Sequence, residues 1–136
     1  AKAIYSGQCD VALMNTYYYG KMKFNNKNPE QKKWADSVRL VFLNQGDRGQ
    51  HVNISAAAIL KASKKQEAAV KFLEWLTSPD AQLLYTKVNY EYPVNPDVDP
   101  SDEVASWGKF KIDEVSLTDI AKNTPLAQII INETGW

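Results

Sequence analysis

Cys9-Asp-Val-Ala-Leu-Met-Asn-Thr-Tyr-Tyr-Tyr-Gly20 joins an apolar run to a polar stop and then to three consecutive tyrosines. Val11 to Met14 is continuously apolar, which is the pattern of a strand buried on both faces in the parallel sheet of an α/β protein. Asn15 and Thr16 interrupt it. Both are good helix N-caps, so the expected order is strand, sharp turn, and a helix opening at Tyr17. That order puts the tyrosines beyond the carboxyl end of a buried strand, where open α/β sheets hold their ligands.

Outward from this stretch, Asn25 to Glu30 is polar turn sequence before a short helical stretch near Gln31 to Asp36. Ser37 to Leu43 alternates like a strand, Gly46-Asp47-Arg48-Gly49 is a loop, and Val52 to Ile54 is a further short strand candidate. The strongest helical pattern lies between Ser63 and Thr77. Ser63 and Gln66 have capping-box spacing, and Ala69, Phe72, Leu73 and Leu76 form one stripe that expects burial. Ser78-Pro79 restarts the chain as a second helix through about Tyr85. Asn89 to Pro100 is rich in Pro, Asp and Asn and reads as an extended connection. Ser106 to Phe110 looks like a turn, and Leu117 to Lys122 and Leu126 to Glu133 look helical, with Gly135 as terminator.

Composition excludes several functions. The 136 residues are 44% apolar, enough for a packed core, and 16 basic residues balance 16 acidic ones. With no net field to attract a polyanion, no nucleic-acid partner is expected. A single cysteine, Cys9, rules out an internal disulfide and a thiolate metal cluster, and is expected to be a small core residue. No apolar run approaches the roughly 20 residues needed to span a bilayer. Ala3-Ile-Tyr-Ser-Gly7 reads like the end of a helix rather than the start of a chain, so a fragment or processed chain is expected.

Two neighbouring residues at a helix start diverge by only about 100°, whereas in a strand they face opposite ways, so the predicted turn lets Tyr17 and Tyr18 converge on one ion. Phenolate is a hard anionic oxygen donor suited to a small, highly charged cation such as Fe3+. A phenol of pKa about 10 is ionised at pH 7 only about once in a thousand molecules, and a nearby trivalent charge overcomes that penalty. Calcium or magnesium gains less from phenols, because carboxylates ionise freely. From the residues alone the cluster is open to three readings: surface packing, stacking on a sugar, or metal ligation.

Asp10 to Gly20 resembles the tyrosine segment of the periplasmic ferric-ion-binding proteins that serve ATP-driven iron importers. Gly49 to Ser55, Ala68 to Gln82, Asn89-Tyr-Glu-Tyr-Pro-Val-Asn95, Trp107-Gly-Lys-Phe-Lys111 and Thr134-Gly-Trp136 agree with the family in the same order. The helix pair within Ala68 to Gln82 recurs across solute-binding proteins and says little about ligand; Asn-Thr-Tyr-Tyr-Tyr-Gly is the part that says iron. The resemblance implies an α/β fold, part of a two-lobe, type II, transferrin-like periplasmic-binding-protein architecture. Residues 1–50 would belong to the second lobe and carry the tyrosine site, 51–90 would return to the first lobe, and 91–136 would cross the hinge and finish the second. It implies Tyr17 and Tyr18 as ligands to Fe3+ in an interlobe cleft, Tyr19 as a packing residue, and a synergistic anion such as carbonate. The implied partners are the membrane permease of an ABC importer and the missing amino-terminal part of the protein or a second copy. The implied location is the periplasm.

The alternative reading is a receptor for a sugar, a polyamine or an oxyanion. No Ser-His-Asp order, paired carboxylates, phosphate loop or cysteine nucleophile supports an enzyme. His51, in a Gly-flanked loop, is expected to be a surface residue. Arg48 is either a solvated loop side chain or an anion holder, and Trp34, Trp75, Trp107 and Trp136 read as packing aromatics.

Overall fold

The computed structural model describes residues 1–135, so Trp136 lies outside the described residues. They form two compact units, one of Ala1–Val41 with Asn53–Lys109, the other of Phe42–Val52 with the chain from Phe110 onward.

In the first unit, α1 (Lys2–Tyr5) and α2 (Thr16–Lys23) both pack on α3 (Pro29–Asp36). Helix α2 starts where the sequence places it, after an extended Asn15 at φ −70° and ψ 139°. The Asn15 side chain makes no cap; its Oδ1 accepts from Asn53 Nδ2 at 2.7 Å. Lys21 and Lys23 in the last turn suit the negative end of the helix dipole. Pro29 opens α3 from its first turn, and Ala35 on that helix is fully buried.

Helices α4 (Gln66–Leu76) and α5 (Pro79–Leu84) are the expected pair, joined at Ser78, whose Oγ accepts from the Ala81 backbone N–H. The capping box at Ser63 does not form. Ser63 Oγ accepts instead from Lys65 N at 3.2 Å, and the Gln66 amide donates to Lys61 O, so the helix begins later than expected. The stripe Ala69, Phe72, Leu73 and Leu76 is likewise not buried: no α4 residue is, and Phe72 is 56% exposed and stacked on Trp75. A stripe buries only against a second surface, and the packing of α4 is chiefly on the short α5.

After α5 a π-helical turn, Tyr85–Asn89, ends at Tyr90 in left-handed conformation, φ 61°. Helix α6 (Asp102–Ser106), capped by Ser101, was not expected, and only its last residue falls in the expected Ser106 to Phe110 turn, although Ser101 before Asp102 and Glu103 carries a start signal. Ser101 is also tied to Thr86, its N–H donating to Thr86 Oγ1 at 2.8 Å and its Oγ to Thr86 O at 2.9 Å. These bonds satisfy Thr86, which is fully buried among Ala81, Val104 and Gln82 in the small core. Gln82 is satisfied in turn, donating to Leu76 O and accepting from Val94 N.

The expected strands are absent among the described residues. Residues 11–14, 38–43 and 52–54 are extended but unladdered, and Val11 and Leu13 are 84% and 79% exposed rather than buried. A strand is a pairwise object whose backbone bonds go to a neighbour, and these segments find none in this chain. Cys9 is accordingly half-buried beside an open segment, not in a core.

In the second unit, the single parallel bridge between Gln50 and Ile112 rests on Gln50 N–H to Lys111 O at 2.8 Å and Asp113 N–H to Gln50 O at 2.9 Å. Gly49, at φ 104°, allows this approach: a Cβ there would sit 2.7 Å from the Ile112 carbonyl carbon. Phe42 stacks on Phe110 with centroids 4.1 Å apart. Helix α7 (Leu117–Thr134) is continuous where two helices were expected, and ends at Gly135. Pro125 removes one N–H from it, while Asn123 Nδ2 and Thr124 Oγ1 donate to the carbonyls of Asp119 and Ile120 and hold the preceding turn. No helix among the described residues is long and apolar enough to cross a membrane.

Candidate metal centre

Tyr17 and Tyr18 lie in the first turn of α2, with ring centroids 4.3 Å apart and planes inclined by 44°. The helical turn brings the two phenols side by side, where a continuing strand would send them to opposite faces. Tyr17 is half-buried and Tyr18 is 49% exposed, so the pair is open to a solute. A side-chain hydrogen bond with Tyr18 holds the Tyr17 phenol above its ordinary pKa. Burial and the charge of Tyr18 add to this, Asn15 opposes it, and the Glu91 carboxylate raises it further. A nearby cation would act against these influences on Tyr17, because positive charge favours the ionised phenol. Lys21 Nζ stands 5.1 Å from the Tyr17 ring centroid.

Tyr19 is placed differently. Its ring meets Trp107 edge-on at 5.9 Å, and Lys23 Nζ lies 5.8 Å from its centroid. Trp107 also packs edge-on against Tyr92 and donates from Nε1 to Glu103 Oε1, so Tyr19 belongs to an aromatic layer fastening α2 to α6.

Around the start of α2 the structure gathers polar groups that the sequence reading left in connecting segments. Asn53 bonds Asn15, Ser55 Oγ donates to Glu91 Oε2 at 2.7 Å, and Asn89 Nδ2 donates to Glu91 Oε1 at 2.6 Å. A faint signal exists in Asn53 and Ser55, two residues apart, the spacing that puts side chains on one face of an extended segment. In the second unit His51 is exposed. Arg48 is an exposed loop side chain, 60% accessible, that pairs with Asp113, Nε to Oδ2 at 2.5 Å. That hydrogen bond holds the Asp113 carboxyl below its usual pKa.

No group of three or more His, Cys, Asp or Glu side chains converges among the described residues. Two adjacent phenolic oxygens fit a hard, highly charged cation arriving as cargo, with its remaining coordination supplied by other donors.

Comparisons with known proteins place the chain among named families. Residues 2–112 match the family model for bacterial extracellular solute-binding proteins. The chain is 42% identical over 135 residues to iron uptake protein A1 of Synechocystis, an alignment covering 99% of this chain and 37% of that protein. It is 30% identical over 131 residues to the major ferric iron-binding protein of Neisseria meningitidis, covering 95% of this chain and 38% of that one. The ferric binding protein from Campylobacter jejuni superposes with a TM-score of 0.91 at 42% identity, over 98% of this chain and 42% of the other. The chain thus spans about two fifths of the length of such relatives, whose names describe uptake and binding and not catalysis. The α/β expectation holds at the level of this shared two-lobe fold, of which the described residues carry the helices and the unpaired strand segments. The chain belongs to the bacterial extracellular solute-binding proteins, among relatives that serve ferric iron.

Proposed function

We propose that this chain is the carboxy-terminal part of a periplasmic ferric-iron receptor that binds Fe3+ through the phenolates of Tyr17 and Tyr18 in an interlobe cleft and delivers it to the permease of an ABC importer. Residues 1–50 and 91–136 serve the second lobe, residues 51–90 return to the first, and the amino-terminal part of the receptor or a second copy completes both. An anion such as carbonate shares the metal site. The observation that carries this reading is the side-by-side placement of two phenols at the opening of α2, 4.3 Å between centroids. Phenolate is the donor that most favours a trivalent over a divalent cation here.

The test is the visible spectrum of the receptor on ferric addition at neutral pH. A red tyrosinate-to-iron charge-transfer band is expected. Tyr17→Phe or Tyr18→Phe should cost more than the roughly 10- to 100-fold that loss of an outer-shell partner costs, with unfolding nearly unchanged, whereas Tyr19→Phe should do much less. The band should fade as pH falls toward about 5, because protons compete for the phenolates. Equal effects at all three tyrosines, or a colourless complex, would replace this reading with a receptor for another solute.

A further inference from the structure

Glu91 is held by more than its own backbone. Its two carboxylate oxygens accept from Ser55 Oγ and Asn89 Nδ2, which fixes the charge at the junction of two segments 36 residues apart. Ser55 lies two residues beyond Asn53, which bonds Asn15 at the mouth of α2. One short stretch of chain thus links the Glu91 carboxylate to Asn15. The residue before Glu91 is Tyr90, in left-handed conformation and stacked on Phe24 with centroids 5.5 Å apart. Its ring lies so close to α2 that a Cβ on Gly20 would come within 2.4 Å of it. The helix that carries the tyrosine pair and the turn that carries Glu91 are therefore keyed to one another, one helical turn from Tyr17.

We propose that Glu91 is a positioning residue of the tyrosine site: a braced negative charge at the opening of α2 that favours trivalent over divalent cargo. This rests on the reading of Tyr17 and Tyr18 as ligands. The reason is charge counting. Two phenolates around a trivalent ion leave a net charge of +1, and around a divalent ion they leave none. A further fixed carboxylate attracts the first complex and is indifferent to the second. Lys21, whose ammonium faces the Tyr17 ring, adds a positive charge that such a carboxylate offsets.

The test compares the receptor with its Glu91→Gln variant, which keeps an acceptor for Ser55 and loses the charge. Ferric and gallium affinities are expected to fall about tenfold while zinc and manganese affinities stay within about twofold. The bound-iron potential should rise by about 59 mV, which is tenfold for a one-electron couple. Glu91→Asp, which keeps the charge, should restore most of the trivalent preference. Equal weakening for both classes of ion, or an unmoved potential, would reduce Glu91 to a structural brace and overturn the proposal. If Glu91→Gln does not fold, Ser55→Ala releases the carboxylate without removing it; a loss of trivalent preference of about threefold is then expected, and none overturns the proposal. A wild-type receptor without the charge-transfer band would overturn the tyrosine reading and this inference together. A band that survives while the ion preference does not move overturns this inference alone.

Discussion

Helices α2 and α4 invert what their sequences suggest about burial. Helix α4 is the longer and carries the cleaner apolar stripe, yet no residue on it is buried. Helix α2 is short and mostly polar, yet Gly20 is buried and side chains on every turn are fastened to distant parts of the chain. Tyr19 meets Trp107, Phe24 stacks on Tyr90, and Lys23 donates to both oxygens of Glu103, at 2.8 and 2.7 Å, across 80 residues of sequence. Amphipathic strength states how much a helix has to gain from burial, whereas the presence of a second surface decides whether it gains it. Such a surface reaches α2 within this chain. For α4, and for the exposed Ile129, Ile130 and Leu126 of α7, it must come from elsewhere.

The sharpest way to break that contrast is to remove the centre of the α2 anchorage. Glu103 is only 14% exposed and accepts from Lys23 and from Trp107. Glu103→Ala strands a partly buried ammonium and should cost the receptor about 2–3 kcal/mol in denaturant unfolding, less than a fully buried pair because Lys23 keeps some solvent. Gly20→Ala is expected to cost about 1–3 kcal/mol by forcing the Tyr90 ring away, measured the same way. On the other side of the comparison, Phe72→Ser should change the stability of the isolated chain by less than about 0.5 kcal/mol, but that of the chain with its amino-terminal part by about 2 kcal/mol. Size-exclusion chromatography with mass spectrometry should show the isolated chain associating, and a lone, cooperatively melting 15.3 kDa monomer would remove the contrast altogether.

The smallest effect is spectroscopic. Burial pushes the Tyr92 phenol up to about 12, while an unfolded tyrosine titrates near 10. A raised folded pKa contributes stability that is complete below pH 10 and is lost as pH climbs toward 12. In an alkaline titration followed in the near ultraviolet, Tyr92 should ionise only toward the upper end of that window, and Tyr92→Phe should flatten the fall in stability across it.

What was legible in the sequence follows the range of the interaction. Ser78-Pro79 and the polar stop at Asn15 are local signals, and the helices they announce begin where expected. The tyrosine pair was legible because its members are adjacent. The strand at residues 11–14 was a statement about neighbours, and those are not within the described chain. Glu91 was hidden for the same reason: its partner Ser55 is 36 residues away, and neither carries a mark of the other. The two separate helices expected at Leu117 to Lys122 and Leu126 to Glu133 are one continuous helix that carries Pro125 within it.

The contact between Gly20 and the Tyr90 ring has a consequence for how such a chain can change over generations. Any side chain at position 20 collides with that ring, so a substitution there is damaging unless the ring moves aside or has already been lost. Losing the ring first uncovers Phe24 and relaxes the left-handed turn. Neither order of events is neutral, and the double variant Gly20→Ala with Tyr90→Ala should be less damaged than its single changes add up to. The two positions, 70 apart in sequence, are therefore inherited as one physical character, and the tyrosine pair beside them moves through sequence space only as fast as they allow.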